Sequence, residues 1–588
     1  MAQSAEEIRF EGVEVSPGVV RGNVHIIGAI FEEPASRGLG EDEMPGELGR
    51  FEQALKATRS QILAMQQEIS KAVESNDASI FDAHLLVLED RTVLDEVVRE
   101  LRESRQNIEA VFYRVMKRYT DSLRRIDDPY LRERVIDVED VARRVIRNLE
   151  GSEDHLAELA ESGEQHILVA HDLTPGDTAT VDRNMVVGFA TEVGSATSHT
   201  AIMARSLNIP AVVGLHGICG SLHSGDRILL DGYNGLVIVN PSPETDAGYD
   251  ALIKSKGELE DRLLGEVETK SATADGREIT LSGNIEFVHE AALLRKSGAE
   301  GVGLFRTEFF YLNKDHLPTE DEQAQGYASV AAAVQPYTAI FRTLDVGGDK
   351  ISAPYGGDPE PNPFLGWRGI RVSLSERGMF SSQLKAILRA SDKGKVGVMY
   401  PLVSGVEEVR KANQTLEECK AELREDGVAF DEDIEVGVMI EVPSAALVAD
   451  AIAREVDFFS IGTNDLVQYT LAVDRVNERV ADLYQPTHPA VIRLMRMVVD
   501  AARQGGIWAG ICGEMAGDVV LTPLLVGLGF DELSVASGHL PRVKHAIRQL
   551  ESSTCEALAQ EVLAIDEPEE IYRRSLAIAK EHYPELLS

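Results

Sequence analysis

At 588 residues the chain is long enough for three or four structural units, and a hydrophobic content of 44% is ample for packed cores. Its 58 basic and 98 acidic residues leave a net charge of −40, which argues against nonspecific binding to nucleic acid or anionic membranes and favours a basic partner protein through steering. The apolar runs are far shorter than a membrane span, residues 1–7 carry no targeting pattern, and the scattered cysteines 219, 419, 512 and 555 form neither a disulfide framework nor a metal knuckle, so a reducing cytoplasm is expected.

Residues 8–31 read as strands, with Ser16-Pro17-Gly18 as a turn, and residues 33–46 as a Gly/Pro/Glu-rich linker. Helical periodicity follows at Leu48, Phe51, Leu55, Ile62, Met65 and Ile69, then over 79–104, 107–125 and 129–149. These segments predict a helical bundle. Strand patterns return at 167–170, 185–189, 211–213 and 228–230, and Asp231-Gly232-Tyr233-Asn234-Gly235 reads as a hairpin turn into 236–239. The simplest organisation is one α/β domain, residues 1–32 and 152–242, with a helical domain, 33–151, inserted into it.

That α/β domain contains Gly194-Ser195-Ala196-Thr197-Ser198-His199-Thr200-Ala201-Ile202-Met203-Ala204-Arg205. Thr197 or Ser198 can cap a helix that starts there, and backbone N–H groups at such a start attract phosphate. His199 is therefore a candidate nucleophile for a phosphoryl group, although a histidine can equally decorate a helix start.

Residues 243–275 are charged and helix-prone and read as a connector. Over 276–588, strand patterns at 279–285, 301–305, 339–344, 396–400, 436–441, 458–461, 507–512 and 532–536 alternate with helices. Eight such units predict a (β/α)8 TIM barrel, with a doubly wound open sheet as the alternative. In a barrel the strand ends gather Arg306, Arg342, Glu441, Asn464, Asp465 and Cys512 at one mouth, with Arg475 shortly after. Three arginines suit phosphate and carboxylate oxygens. Glu441 and Asp465, from adjacent strands, suit Mg²⁺, and Cys512 can move a proton.

These segments resemble enzyme I of the bacterial phosphoenolpyruvate-dependent sugar phosphotransferase system. The resemblance rests on Ser16-Pro17-Gly18, Ile80-Phe81-Asp82-Ala83-His84, Tyr130-Leu131-Arg132-Glu133-Arg134, Asp172-Leu173-Thr174-Pro175, the His199 segment and the barrel strand ends. It implies that His199 takes the phosphoryl group and that Thr174 hydrogen-bonds its ring. It implies that Arg306, Arg342, Arg475, Asn464 and Asp465 hold phosphoenolpyruvate, with Lys350 and Arg368 in support. Glu441 and Asp465 are expected to bind Mg²⁺, and Cys512 to protonate C3 of the enolate to give pyruvate. The inserted bundle is expected to dock the carrier HPr, and the barrel to form a homodimer. Many members carry an arginine three residues before the histidine, where this chain has Ala196. A dikinase or phosphoenolpyruvate synthase is the nearest rival, but the residues before His199 hold no Gly-rich phosphate loop. A decayed, noncatalytic relay is expected to have lost at least one of Arg306, Glu441, Asp465 or Cys512.

Overall fold

The structure, a computed structural model, describes residues 7–587 apart from 28–33, 41–42, 73–84, 86, 89, 125–137, 139–140, 150–164, 172, 174–184, 195–200, 202–203, 205–208, 224, 312–315, 348–361, 476 and 478–479. Thr174, Ala196, His199 and Lys350 lie outside the described residues. The chain divides into two compact units, Met1–Ser255 and Lys256–Ser588.

In the first unit the described strands are β1 (Ile8–Glu11), β2 (Val13–Ser16), β3 (Val19–Ile27), β4 (His166–Ala170), β5 (Val186–Thr191), β6 (Ala211–Val213), β7 (Arg227–Asp231) and β8 (Leu236–Val239). They form one sheet in the order β1-β8-β7-β3-β4-β5-β6-β2. The run β3-β4-β5-β6 is parallel. Its central strand β4 is buried at every position, as expected for a strand covered on both faces. Apolar clusters on either side supply that cover, one including Leu168, Phe189 and Val213, the other Ile167, Val169 and Val212. The β7–β8 hairpin turns where expected: the Asp231 carboxylate accepts from the backbone N–H groups of Tyr233 and Asn234 at 3.0 and 3.2 Å, and Gly235 takes a φ of +63°.

Between the neighbouring strands β3 and β4 the chain builds helices α1 (Met44–Ala72), α2 (Arg91–Ser104) and α3 (Ile108–Arg124), with residues 141–149 also helical. Asp90 starts α2 by accepting from Thr92 N–H at 2.8 Å. Val93, Val97 and Leu101 form one stripe of α2, and with Phe51, Val111, Phe112 and Val145 they make a core separate from the sheet's.

Helix α4 (Pro243–Gly265) leads into the second unit, where its Leu259 and Leu263 join the barrel's core. The barrel strands are β9 (Thr280–Ile285), β10 (Val302–Arg306), β11 (Ala339–Arg342), β12 (Val396–Tyr400), β13 (Glu435–Ile440), β14 (Phe458–Ile461), β15 (Trp508–Ile511) and β16 (Glu532–Ala536). Every neighbouring pair is parallel, and β16 pairs with β9, which closes the barrel and rules out the open sheet. Leu304, Ile340, Met399, Met439, Phe458 and Cys512 fill its interior. At the N-terminal end the Phe458 and Trp508 rings stack, with centroids 4.5 Å apart and planes 7° apart. Gly437 makes room for that floor, since a Cβ there would lie 2.2 Å from the Phe458 ring. Among the described residues no helix is long and apolar enough to cross a membrane.

Candidate active site

Parallel strands that share one direction deliver their C-terminal ends to one mouth. Strand β10 ends on Arg306 and β11 on Arg342; Glu441 follows β13, and Cys512 follows β15. Asn464 and Asp465 stand in the first turn of the helix Thr463–Leu471, directly after β14. Gly513 lets the Cys512 segment press against that turn: a Cβ at Gly513 would lie 1.7 Å from the Thr463 hydroxyl.

The centre of the mouth is an ionic cluster. Arg342 is buried and pairs with Glu308 at 2.9 Å and Asp345 at 3.0 Å. Arg368 donates to both oxygens of Asp345, at 3.2 and 3.3 Å, lies 3.6 Å from Asp465, and has the Phe364 ring 5.6 Å from its guanidinium carbon. Oxygens of Asp345, Glu441 and Asp465 all lie within 4.8 Å of one another. Glu441 is 2% exposed and accepts from Leu402 N–H at 2.5 Å.

Electrostatics follow from this crowding. Burial, then the charges of Asp345 and Asp465, push the Glu441 pKa well above the carboxylate range. Burial raises Asp465 too, against Arg368, which holds it down. Burial opposes the charge of both guanidiniums, but the carboxylates win. Glu308 and Asp345 lead in raising Arg342, and Asp345 and Asp465 in raising Arg368. Three converging carboxylates favour a cation among them, and an all-oxygen donor set suits a hard divalent ion over a thiophilic one. The cluster thus fits a metal ion. The Nε–H groups of Arg342 and Arg368 are buried without a hydrogen-bond partner among the described residues. An unmet buried donor costs about 1–3 kcal/mol, so both are poised for an acceptor such as a substrate oxygen.

The remaining polar residues form the rim. Arg475 and Asn464 both donate to one oxygen of Glu514, at 3.0 and 2.8 Å, and Glu514 N–H returns a bond to Asn464 at 3.0 Å. Arg306 pairs with Glu286, and its side chain is 43% exposed, as is that of Arg475. Of the three expected clamp arginines, only Arg342 therefore sits inside the buried cluster. Cys512 is 4% exposed, and its thiol points to the Ile461 carbonyl at 3.6 Å. Burial pushes that thiol up to about 11, while Arg342 works the other way. It is held as S–H at neutral pH, the form that can give a proton.

In the first unit, Ala201 and Ala204 are helical and fully buried beside Leu173 and Phe189. Their three-residue spacing agrees with a helix following His199.

Three family descriptions match the chain: the PEP-binding domain of PEP-utilising enzymes over residues 261–552, their N-terminal domain over 11–134 and their mobile domain over 162–235. The phosphoenolpyruvate-protein phosphotransferase of Haemophilus influenzae is 39% identical over 554 residues, covering 94% of this chain and 96% of the relative. That of Priestia megaterium is 42% identical over 530 residues, covering 90% and 92%. The chain belongs to the phosphoenolpyruvate-protein phosphotransferase family. A solution structure of enzyme I is also 34% identical, covering 42% of this chain and 99% of its own, with a TM-score of 0.34.

For a phosphotransferase of this family, the site residues that sequence reasoning passed over are Asp345 and Glu308. Both stand in the strand-end segments singled out above, Asp345 three residues after Arg342 and Glu308 two after Arg306. Their position at strand ends was a usable signal. Arg368 was expected only in support, yet it links Asp345 to Asp465.

Proposed function

We propose that this phosphotransferase moves the phosphoryl group of phosphoenolpyruvate onto its own His199, releases pyruvate, and then passes the group to a histidine of the carrier HPr. That is the first step of the sugar phosphotransferase system. The observation that carries the reading is the meeting of two guanidiniums, Arg342 buried and Arg368 half-buried, each with a buried Nε–H that has no partner among the described residues, and three carboxylates at the barrel mouth.

In the first half-reaction the neutral ring of His199 attacks phosphorus in line. The N–P bond forms as the bridging O–P bond breaks, and that electron pair leaves on the enolate oxygen. Such a step needs positioning and charge stabilisation above all. Arg342 and Arg368 offer their free Nε–H groups to phosphate and carboxylate oxygens. Arg306, Arg475 and Asn464 close from the rim, exchanging Glu286 and Glu514 for substrate. Mg²⁺ held by Glu441 and Asp465, with Asp345 beside them, would supply positive charge against the phosphate oxygens. Thr174 orients the imidazole, and Lys350 adds charge. The Cys512 thiol gives its proton to C3 as the enolate's π electrons form the C–H bond; pyruvate departs and a thiolate remains.

In the second half-reaction the phosphohistidine meets HPr. The histidine domain, 1–32 and 152–242, swings on the 243–275 connector between the barrel, 276–588, and the inserted helices, 33–151, where HPr docks. A net charge of −40 steers a basic carrier. The barrel pairs with a second copy, and the reaction belongs in the cytoplasm.

The test is incubation with phosphorus-labelled phosphoenolpyruvate and Mg²⁺, without nucleotide. Acid-labile, base-stable label on His199 is expected. Label elsewhere, or none, overturns the reading.

A further inference from the structure

Strand β9 reaches β15 only through β16, which lies between them in the barrel. The β15–β16 ladder ends at the pair Ile511 and Leu533, so the peptide of Cys512 lies just past its last rung. On the β14 side, Cys512 N–H donates to Ile461 O at 3.1 Å. On the other side the partner is a side chain. The Asn284 carboxamide, from β9, crosses over β16 and donates Nδ2–H to Cys512 O at 3.1 Å and to Ser534 O at 3.2 Å. Its Oδ1 accepts from the Ser534 hydroxyl at 2.6 Å. The orientation of the amide follows from its partners, since two carbonyl oxygens can only accept and the amide nitrogen can only donate to them. Ser534 is fully buried.

We propose that Asn284 is a positioning residue for the proton donor Cys512. It touches neither the buried ionic cluster nor the rim pairs described above. It acts by holding the carbonyl of Cys512 from the β9 side, while Ile461 holds its N–H from the β14 side. With the peptide groups on both sides of its Cα held, the barrel wall sets the place from which the thiol delivers its proton to C3. This rests on the reading of Cys512 given above. In the step affected, the S–H bond breaks, the enolate's electron pair forms C3–H, and the sulfur keeps its pair as thiolate. The exchange of the phosphoryl group between His199 and the carrier does not pass through Asn284.

The test uses the full chain with Mg²⁺, comparing wild type with Asn284→Ala and with Ser534→Ala, which frees the amide to turn. Misplacing a reacting group by about 1 Å can cost about 100-fold in rate. Charging from phosphoenolpyruvate is expected to slow at least ~10-fold in kcat for Asn284→Ala, with KM unchanged and a larger solvent deuterium isotope effect. Exchange between phosphorylated carrier and His199 should stay at the wild-type rate. Ser534→Ala should show the same signature more weakly. A readout independent of turnover is alkylation by iodoacetamide followed by peptide mass spectrometry. Cys512 should react several-fold faster in Asn284→Ala, with Cys419 and Cys555 unchanged. Wild-type charging kinetics and unchanged Cys512 reactivity in the variants overturn the inference. So does a loss that falls equally on charging and on carrier exchange, because that is general unfolding. A wild-type chain that takes no label from phosphoenolpyruvate refutes the functional reading first, and this inference with it.

Discussion

Glutamine in place of Glu532 should stabilise the barrel, and only at the higher end of the pH range. Glu532 opens β16 on the barrel's inner side and is 6% exposed. One carboxylate oxygen accepts from the Ser282 hydroxyl at 2.6 Å, and the other is buried without a partner among the described residues. No cation faces it among the described residues; the neighbouring charge is Glu435. Burial pushes its pKa from 4.5 up to about 7, against the Ser282 hydroxyl, with Glu435 adding to the rise. A carboxyl raised in the fold binds its proton more tightly there than in the unfolded chain. Its ionisation therefore costs stability, with the penalty absent below pH 4.5 and complete above pH 7. At 1.36 kcal/mol per unit the full penalty is about 3 kcal/mol. Glutamine keeps an oxygen for Ser282 and never ionises. Urea unfolding of the full chain can be followed by tryptophan fluorescence, because both tryptophans, Trp367 and Trp508, lie in the barrel unit. Trp508 is adjacent: a Cβ at Gly510 would lie 2.9 Å from Glu532 and 3.2 Å from the Trp508 ring. At pH 8 the glutamine variant should be more stable by about 3 kcal/mol, and the gap should shrink below ~1 kcal/mol by pH 5. A gap that does not change with pH, or a wild type that is the more stable at pH 8, refutes the reasoning.

Three further outcomes follow from the same structure. Gly437→Ala should destabilise the barrel by about 1–3 kcal/mol, seen as an earlier fluorescence transition in urea, because the added methyl meets the Phe458 ring. Asp345→Asn should weaken binding of Mn²⁺, used as a paramagnetic probe of the metal site, by about 10–100-fold in a titration read by electron spin resonance. Equal affinity in wild type and variant would remove Asp345 from the site. Cys512→Ala should stop charging from phosphoenolpyruvate while phosphorylated HPr still exchanges its group with His199. Loss of both steps would count against the proton-donor role.

The barrel was legible in the sequence because its strands are buried on both faces. Runs such as 396–400 and 458–461 are apolar or small enough to be read to the residue. Elsewhere the ends moved by one or two positions, as where β11 stops at Arg342 and not at residue 344. No composition rule marks that point. Which polar residues stand at the barrel strand ends was readable, but their partners were not. Arg306 and Arg475 look like equals of Arg342 in the sequence. Only packing shows that the first two meet Glu286 and Glu514 on the rim while Arg342 is enclosed by Glu308 and Asp345. Asp345 was passed over although it stands only three residues after Arg342. Asn284 was hidden for a different reason. Its partner Ser534 is 250 residues away and becomes a neighbour only when the last strand closes on the first.

The stacked rings of Phe458 and Trp508 close off the inner end of a barrel that is a packed core and not a pore. On the function proposed above, phosphoenolpyruvate would then have to enter, and pyruvate leave, at the mouth formed by the strand C-termini. The floor of the barrel, at the end farthest from the candidate site, would give substrate and product the same doorway.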